Sequence, residues 1–289
     1  MKVARTPEEL QPRERAVALG SFDGVHLGHR RVLDAAKDAG PPPAVVTFWP
    51  HPRLVLGYEV ELLSTLRRRL ELLEAAGIEE ALVLEFTAEL ANLEPAEFAE
   101  AILRRIGARV IAVGENFRFG RGAAGDAELL GRLGFEVRSV PLVGGVSSTE
   151  IRRRVRAGDV EAAAKLLGRP PELEGEVVGG ERRGGTLGYP TANLAVPPEL
   201  LVPGHGIYAG AALDHRAAVS IGVNPHYGGV ERRVEAYLLD YADDLYGRRL
   251  VVELWRRLRD EQAFASEEEL VRQIARDVDE ARSAVRPGS

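Results

Sequence analysis

Residues 20–29 read GSFDGVHLGH, and the reading of this stretch decides the fold of the first half of the chain. Three glycines, two histidines three apart and an aspartate are not the makings of a hydrophobic core. The stretch joins a buried-strand run, RAVALGSF (15–22), to a helical pattern, HRRVLDAAKDAG (29–40), closed by glycine. In an open parallel sheet, ligands bind outside the carboxyl ends of the strands. Glycines let the backbone approach a ligand closely. The helix that follows offers free N–H groups and the positive end of its dipole, a natural anion site. His26 and His29, three apart at that helix start, direct both rings toward one point. Two imidazoles there suit the charge that develops when a phosphoryl group is transferred. On the bare residues two further readings stay open: solvent-facing histidines, or half of a metal site, which i, i+3 spacing permits. The stretch is neither a P-loop nor G-x-G-x-x-G.

Outward from there, strand and helix signals alternate. PAVVTFWP (43–50), EALVLEF (80–86), ARVIAVG (108–114) and FEVRSVPLV (135–143) read as strands; LLSTLRRRLELLEAAG (62–77) and EPAEFAEAILRRIG (94–107) read as helices. This alternation predicts a doubly wound parallel sheet. A helical pair, TEIRRRVRAGDVEAAAKLLG (149–168), and a linker, RPPELEG (169–175), follow. From 176 to 255, short β-like runs separated by Gly and Pro predict a small antiparallel barrel or sandwich. A closing helix spans 266–285, with Ser266 and Glu269 as a capping box. The expectation is two domains, 1–170 and 171–289.

Composition narrows the functional classes. The chain has 289 residues, 45% of them hydrophobic, enough for two cores. It has no apolar run near the ~18 residues of a membrane span. The opening MKVARTPEELQPRER lacks a signal-peptide stretch, so a cytoplasmic, membrane-free protein is expected. The absence of cysteine excludes disulfides and thiolate metal sites. A net charge of −6 gives no basic footprint for nucleic acid. The RRR runs at 67–69 and 152–154 are expected to be solvated helix faces. Only Lys2, Lys37 and Lys165 among the 38 basic residues are lysine. A thermophilic source and a GC-rich genome explain that bias equally well.

A second unusual stretch is GGERRGGTLGYPTANL (179–194). Thr191 and Asn193, two apart, point to one face of an extended strand. A hydroxyl and an amide oxygen are suitable Mg²⁺ partners, the remaining ligands being water and phosphate. The glycine-rich loop before them is suited to wrapping phosphates through its N–H groups. On spacing alone, a β-turn followed by an edge strand fits equally.

These motifs resemble a known family. GSFDGVHLGH carries the H-x-G-H signature of nucleotidylyltransferases, and its longer form is similar to the bacterial bifunctional riboflavin kinase/FMN adenylyltransferases (FAD synthetases). TFWPHP (47–52), GENFRFGRGAAGD (114–126) and VSSTEIR (146–152) resemble further segments of that family. VSSTEIR also reads as a helix start, with Ser147 and Glu150 as a capping box, and a capped helix N-terminus is itself phosphate-binding. In the second half, GYPTAN (188–193) resembles the kinase signature. VEAYLLDYADDLYG (234–247) and LRDEQAFAS (258–266) resemble the segments that follow it.

The resemblance covers nearly the whole chain and implies fold and function together. The implied architecture is α/β: a Rossmann-like nucleotidylyltransferase domain, then a small antiparallel β-barrel riboflavin kinase domain with a C-terminal helix. The implied reactions are riboflavin to FMN, then FMN to FAD plus pyrophosphate, both with ATP and Mg²⁺. His26, His29 and Glu235 are the implied catalytic residues, Glu235 as base for the riboflavin 5′-hydroxyl. Thr191 and Asn193 are the implied metal ligands. Gly20, Phe22, Asp23, Gly28, Thr47, Asn116 and Arg118 are implied in nucleotide or FMN contact. Ser148, Thr149 and Arg152 are implied at the ATP phosphates. Gly180, Thr186, Tyr189 and Arg259 are implied in the kinase half. The chain departs from the family at Arg182 and Gly185, and at Pro225-His226. Those departures would suit an FAD synthetase with an impaired kinase domain. A different H-x-G-H adenylyltransferase and a non-catalytic flavin-binding protein are weaker fits to the same motifs.

Overall fold

The computed structural model describes residues 1–179, 187–226 and 229–288. It forms two compact units: residues 1–60 with 66–147, and residues 61–65 with 148–289.

The first unit is built on a six-stranded sheet whose pairs are all parallel. The strands are β1 (Lys2–Ala4), β2 (Arg15–Leu19), β3 (Pro43–Trp49), β4 (Glu80–Glu85), β5 (Ala108–Gly114) and β6 (Glu136–Val140), in the order β1-β4-β3-β2-β5-β6. β2 is buried at every position, as a central parallel strand covered on both faces requires. Val17 and Leu19 enter one core with Val46, Leu82 and Ile111; Ala16 and Ala18 enter the other with Val45, Val110 and Leu33. That alternation is the period of two of a strand. Helix α1 (Leu27–Lys37) and helix α3 (Leu66–Ala75) cover the second face, and the one-turn helix α2 (Pro52–Val55) lies between them in sequence. The first face is covered by α5 (Pro95–Phe98), which follows the single turn α4 (Ala88–Ala91) and runs on as a π-helix over Ala99–Arg104. Helix α6 (Ala127–Arg132), capped by Asp126, precedes the edge strand β6. Chain order reverses direction across the sheet between β2 and β5, the place where doubly wound sheets bind ligands.

The second unit is a closed barrel in the order β10-β11-β8-β7-β12-β9. Its strands are β7 (Glu172–Val178), β8 (Ala192–Ala195), β9 (Gly206–Ala212), β10 (His215–His226), β11 (Gly229–Leu238) and β12 (Arg249–Arg259), all paired antiparallel. Tyr208, Val219, Ile221, Val234, Ala236, Val252 and Leu254 fill its interior. Helices α7 (Ser148–Arg156) and α8 (Val160–Leu167) precede the barrel, and α9 (Glu267–Ser283) closes the chain. Val160 belongs to the barrel core; Ile151, Val155, Ala163 and Leu167 form a satellite core with Leu201.

Several expected boundaries move, each for a physical reason. β2 stops at Leu19 because Phe22, Gly24 and Val25 turn into positive φ (51°, 78° and 40°). α1 starts at Leu27, not 29, so His26 becomes its N-cap. The helix expected from 62 begins at 66: Leu62 N–H donates to Glu199 O (2.7 Å) and Leu201 N–H to Leu62 O (2.9 Å), joining 61–65 to the second unit. The expected linker 169–175 is already strand from Glu172. Both RRR runs hold one buried member. Arg69 lies on the face of α3 that buries Leu72 and Leu73, and Arg152 lies beside Ile151 and Val155. The three-residue β1 had no signal in the sequence.

Candidate active sites

In the first unit, the segments singled out in the sequence meet at the carboxyl edge of the sheet. GSFDGVHLGH leaves β2, TFWPHP ends β3 and GENFRFG leaves β5, three neighbouring strands. His26 caps α1: its Nδ1 accepts the His29 N–H at 3.2 Å, fixing the ring at the helix start. The two imidazoles stack with centroids 3.6 Å apart and planes 13° apart. Phe22 sets its ring edge against His29, centroids 5.2 Å apart. Gly28 stands where a Cβ would lie 3.1 Å from His26 Cε1, so a side chain there would displace the ring. Gly20 adjoins the Phe22 ring.

Asp23 and Thr47 are buried at 1% and 0% exposure. Thr47 Oγ1 donates to Ser21 O (3.1 Å), and Asp23 faces Arg69 (3.4 Å). His51 caps α2, its Nδ1 accepting the Arg53 N–H at 3.2 Å. Asn116 and Arg118 are exposed beyond β5, Arg118 paired with the Asp126 carboxylate at 3.1 Å. Phe119 is core and stacks with Phe117 (5.8 Å). Among the described residues, no three His, Asp or Glu side chains form a metal-holding group.

Ser148 and Thr149 open α7, in the second unit. Arg152 is buried and donates from Nε to Glu61 O (2.7 Å). Glu150 accepts from Arg153 and Arg154 (2.6–2.8 Å), which hold its carboxyl down at about 2.

The barrel gathers its singled-out residues on the outer face. One cross-strand row runs Asn193 (β8), Glu235 (β11), Ser220 (β10), Ile207 (β9) and Arg259 (β12). Their sequence neighbours Leu194, Val234, Ala236, Ile221 and Tyr208 point inward, so this row points out. A cavity of about 1010 Å³ lies over it, lined by Glu235, Thr191, Tyr189, Tyr237, Arg259 and residues of α9. A second cavity of about 490 Å³ is lined by Thr191, Asn193, Pro190, Asp243, Asp244 and Tyr246. Thr191 therefore borders both. Glu235 is half-buried, 3.2 Å from Arg233. Tyr189 and Tyr237 meet edge to face at 5.4 Å. Arg259 is held by Asp277 of α9 through Nε (2.9 Å) and Nη2 (2.7 Å), and Gln273 donates to the same carboxylate (2.9 Å). The sequence reading did not find Asp277, whose signal was one acid on the buried face of the last helix. Gly180, Arg182, Gly185 and Thr186 lie outside the described residues. So do the side chains of Pro225 and His226 in β10.

A glycine-histidine corner on a doubly wound sheet, with a hydroxyl, amide and carboxylate on a barrel face, defines a two-part phosphate-transfer enzyme. Residues 8–153 match the family described as FAD synthetase, and residues 167–285 that described as riboflavin kinase. The chain belongs to the bifunctional riboflavin kinase/FMN adenylyltransferase family. The Escherichia coli K12 member is 35% identical over 96% of each chain, and the Bacillus subtilis 168 member 33% identical over 95% of each. A crystal structure from Streptococcus pneumoniae, named a macrolide-efflux protein, is 32% identical with a TM-score of 0.89, covering 98% of this chain and 99% of that one. Among the described residues, no helix is long and apolar enough to cross a membrane.

Proposed function

We propose that this chain makes FAD in two ATP-dependent steps, FMN adenylylation belonging to residues 1–170 and riboflavin phosphorylation to residues 171–289. The two family matches, one to each half, carry the reading; nothing supports an impaired kinase or a non-catalytic flavin-binding role. The efflux name of the Streptococcus pneumoniae structure is not carried over.

In adenylylation, an FMN phosphate oxygen attacks the α-phosphorus of ATP and pyrophosphate leaves. The protein's part is alignment and charge stabilisation rather than covalent chemistry. His26 and His29 serve the α-phosphate as it gains charge. Their stacking and the fixed His26 ring support this assignment. Ser148, Thr149 and Arg152 serve the β,γ-phosphates, in keeping with the first turn of α7. Gly20, Phe22 and Gly28 shape the turn, and Asn116 and Arg118 contact FMN or nucleotide from the edge of β5.

In phosphorylation, the riboflavin 5′-hydroxyl attacks the γ-phosphorus of ATP and ADP leaves. Glu235 orients that hydroxyl and takes its proton. The larger cavity, walled by Tyr189, Tyr237 and α9, takes the flavin; the smaller takes the nucleotide. Thr191 borders both, which supports phosphate transfer beside it. Thr191, just before β8, and Asn193 on it both line the smaller cavity, and their hydroxyl and amide oxygens are hard donors that fit Mg²⁺. When bound there, the ion neutralises phosphate charge.

Single substitutions test the division. His29→Ala is expected to lower FAD formation at least about 100-fold and leave FMN formation intact. Glu235→Ala is expected to do the converse. If either change removes both activities from folded protein, the two-site reading is wrong.

A further inference from the structure

We propose that Arg69 is a positioning residue for FAD synthesis, bracing the turn that carries His26 and His29. Arg69 is fully buried on α3, far along the chain from that turn. Its Nη1 donates to Ser21 O at 2.9 Å and lies 3.5 Å from Phe48 O. Its Nη2 reaches Asp23 Oδ1 at 3.4 Å, and its guanidinium carbon stands 5.5 Å from the Trp49 ring centroid. One cation thus ties the end of β2 to the end of β3.

The turn needs such a tie. Phe22 and Val25 hold φ of 51° and 40°, a conformation that side-chain-bearing residues keep only when their surroundings impose it. The Ser21 carbonyl receives two donors, Arg69 Nη1 and Thr47 Oγ1. Phe22, next in sequence, is the residue whose ring edge meets His29. The line from Arg69 through Ser21 and Asp23 to Phe22 and His29 is therefore continuous. Asp23 and Thr47, both buried, act in this brace through Arg69 and the Ser21 carbonyl. The planar fork of a guanidinium can donate to a carboxylate and two carbonyls at once, which a single ammonium nitrogen satisfies less well.

The inference rests on the reading that the 20–29 turn makes FAD, so the test includes His29→Ala. FAD formation from FMN and FMN formation from riboflavin are measured on the same full-length samples of Arg69→Gln, Arg69→Lys and the neutral pair Asp23→Asn with Arg69→Gln. Arg69→Gln is expected to lower kcat for FAD formation about 10- to 100-fold. The KM for ATP stays within about three-fold and FMN formation is unchanged. Arg69→Lys recovers part of the loss. If Arg69→Gln alone does not fold, the neutral pair replaces it, since it leaves no buried charge unpaired, and the same kcat loss is expected. A folded variant with wild-type kcat, a loss confined to KM, or both activities falling together would overturn the role. FAD formation surviving His29→Ala would overturn the site reading instead, whatever Arg69 does.

Discussion

At the scale of the residue, Gly28 and Glu80 show how little freedom the first unit leaves. Gly28→Ala would bring a methyl group to 3.1 Å from His26 Cε1 and 3.2 Å from its Nδ1. The His26 ring must give way by a few tenths of an ångström, which disturbs its stack on His29. FAD formation is expected to fall about ten-fold or more, with FMN formation as the internal control. Glu80 is buried against the fully buried Arg15, whose Nε donates to it at 2.6 Å. Burial pushes the Glu80 carboxyl up, but the hydrogen bond and charge of Arg15, with Arg13 behind it, outweigh that and hold it below its ordinary value of 4.5. A depressed carboxyl stabilises the fold above the unfolded-state value and loses that contribution as pH falls through the folded one. Glu80→Ala should therefore destabilise by about 3 kcal/mol at pH 7. In denaturant titrations, the gap from wild type should narrow as pH falls below the ordinary carboxyl value of 4.5 and through the depressed folded one. A gap that widens as pH falls would contradict the assigned direction. The histidine corner was legible because its composition is useless to a core. Arg69 was not, because a buried arginine inside an RRR run looks like its solvated neighbours, and only the periodicity shared with Leu72 and Leu73 marks it.

At the scale of the element, α9 couples stability to the proposed kinase site. Ser266 caps it, accepting the Glu269 N–H at 3.3 Å, while the Glu269 carboxylate turns back to the Ala265 N–H (3.3 Å) rather than to Ser266 itself. Asp277 on the same helix holds Arg259 at the cavity wall. Ser266→Ala is expected to cost about 1 kcal/mol in thermal or denaturant unfolding. Because the start of α9 lines the larger cavity, it should also raise the KM for riboflavin. An unchanged KM would detach the helix start from flavin binding. Long elements with a clear period were readable, as β5 shows by matching its expected bounds of 108–114. Elements fixed by distant partners were not. The segment 62–65 carries a helical pattern, yet the bridge between Leu62 and Leu200 takes it out of the helix. β1 has only three residues at the sheet edge, too few to show a period.

At the scale of the molecule, the barrel unit begins before the barrel. Val160 fills the barrel core, and the α7–α8 pair buries Ile151, Val155 and Leu167 against Leu201. A fragment 148–289 should therefore melt higher than a fragment 171–289 and retain more riboflavin phosphorylation. Equal midpoints would show that the helices add nothing to the barrel. The two family matches carry the reading of two activities in one chain, and two chemically distinct places support it, one rich in glycine and imidazole, the other offering hydroxyl, amide and carboxylate. Its most direct test is a chromatographic time course of the full chain with riboflavin, ATP and Mg²⁺. The account predicts that FMN appears first and FAD follows at its expense. Riboflavin left unconsumed by folded protein, or FMN accumulating with no FAD, would contradict it.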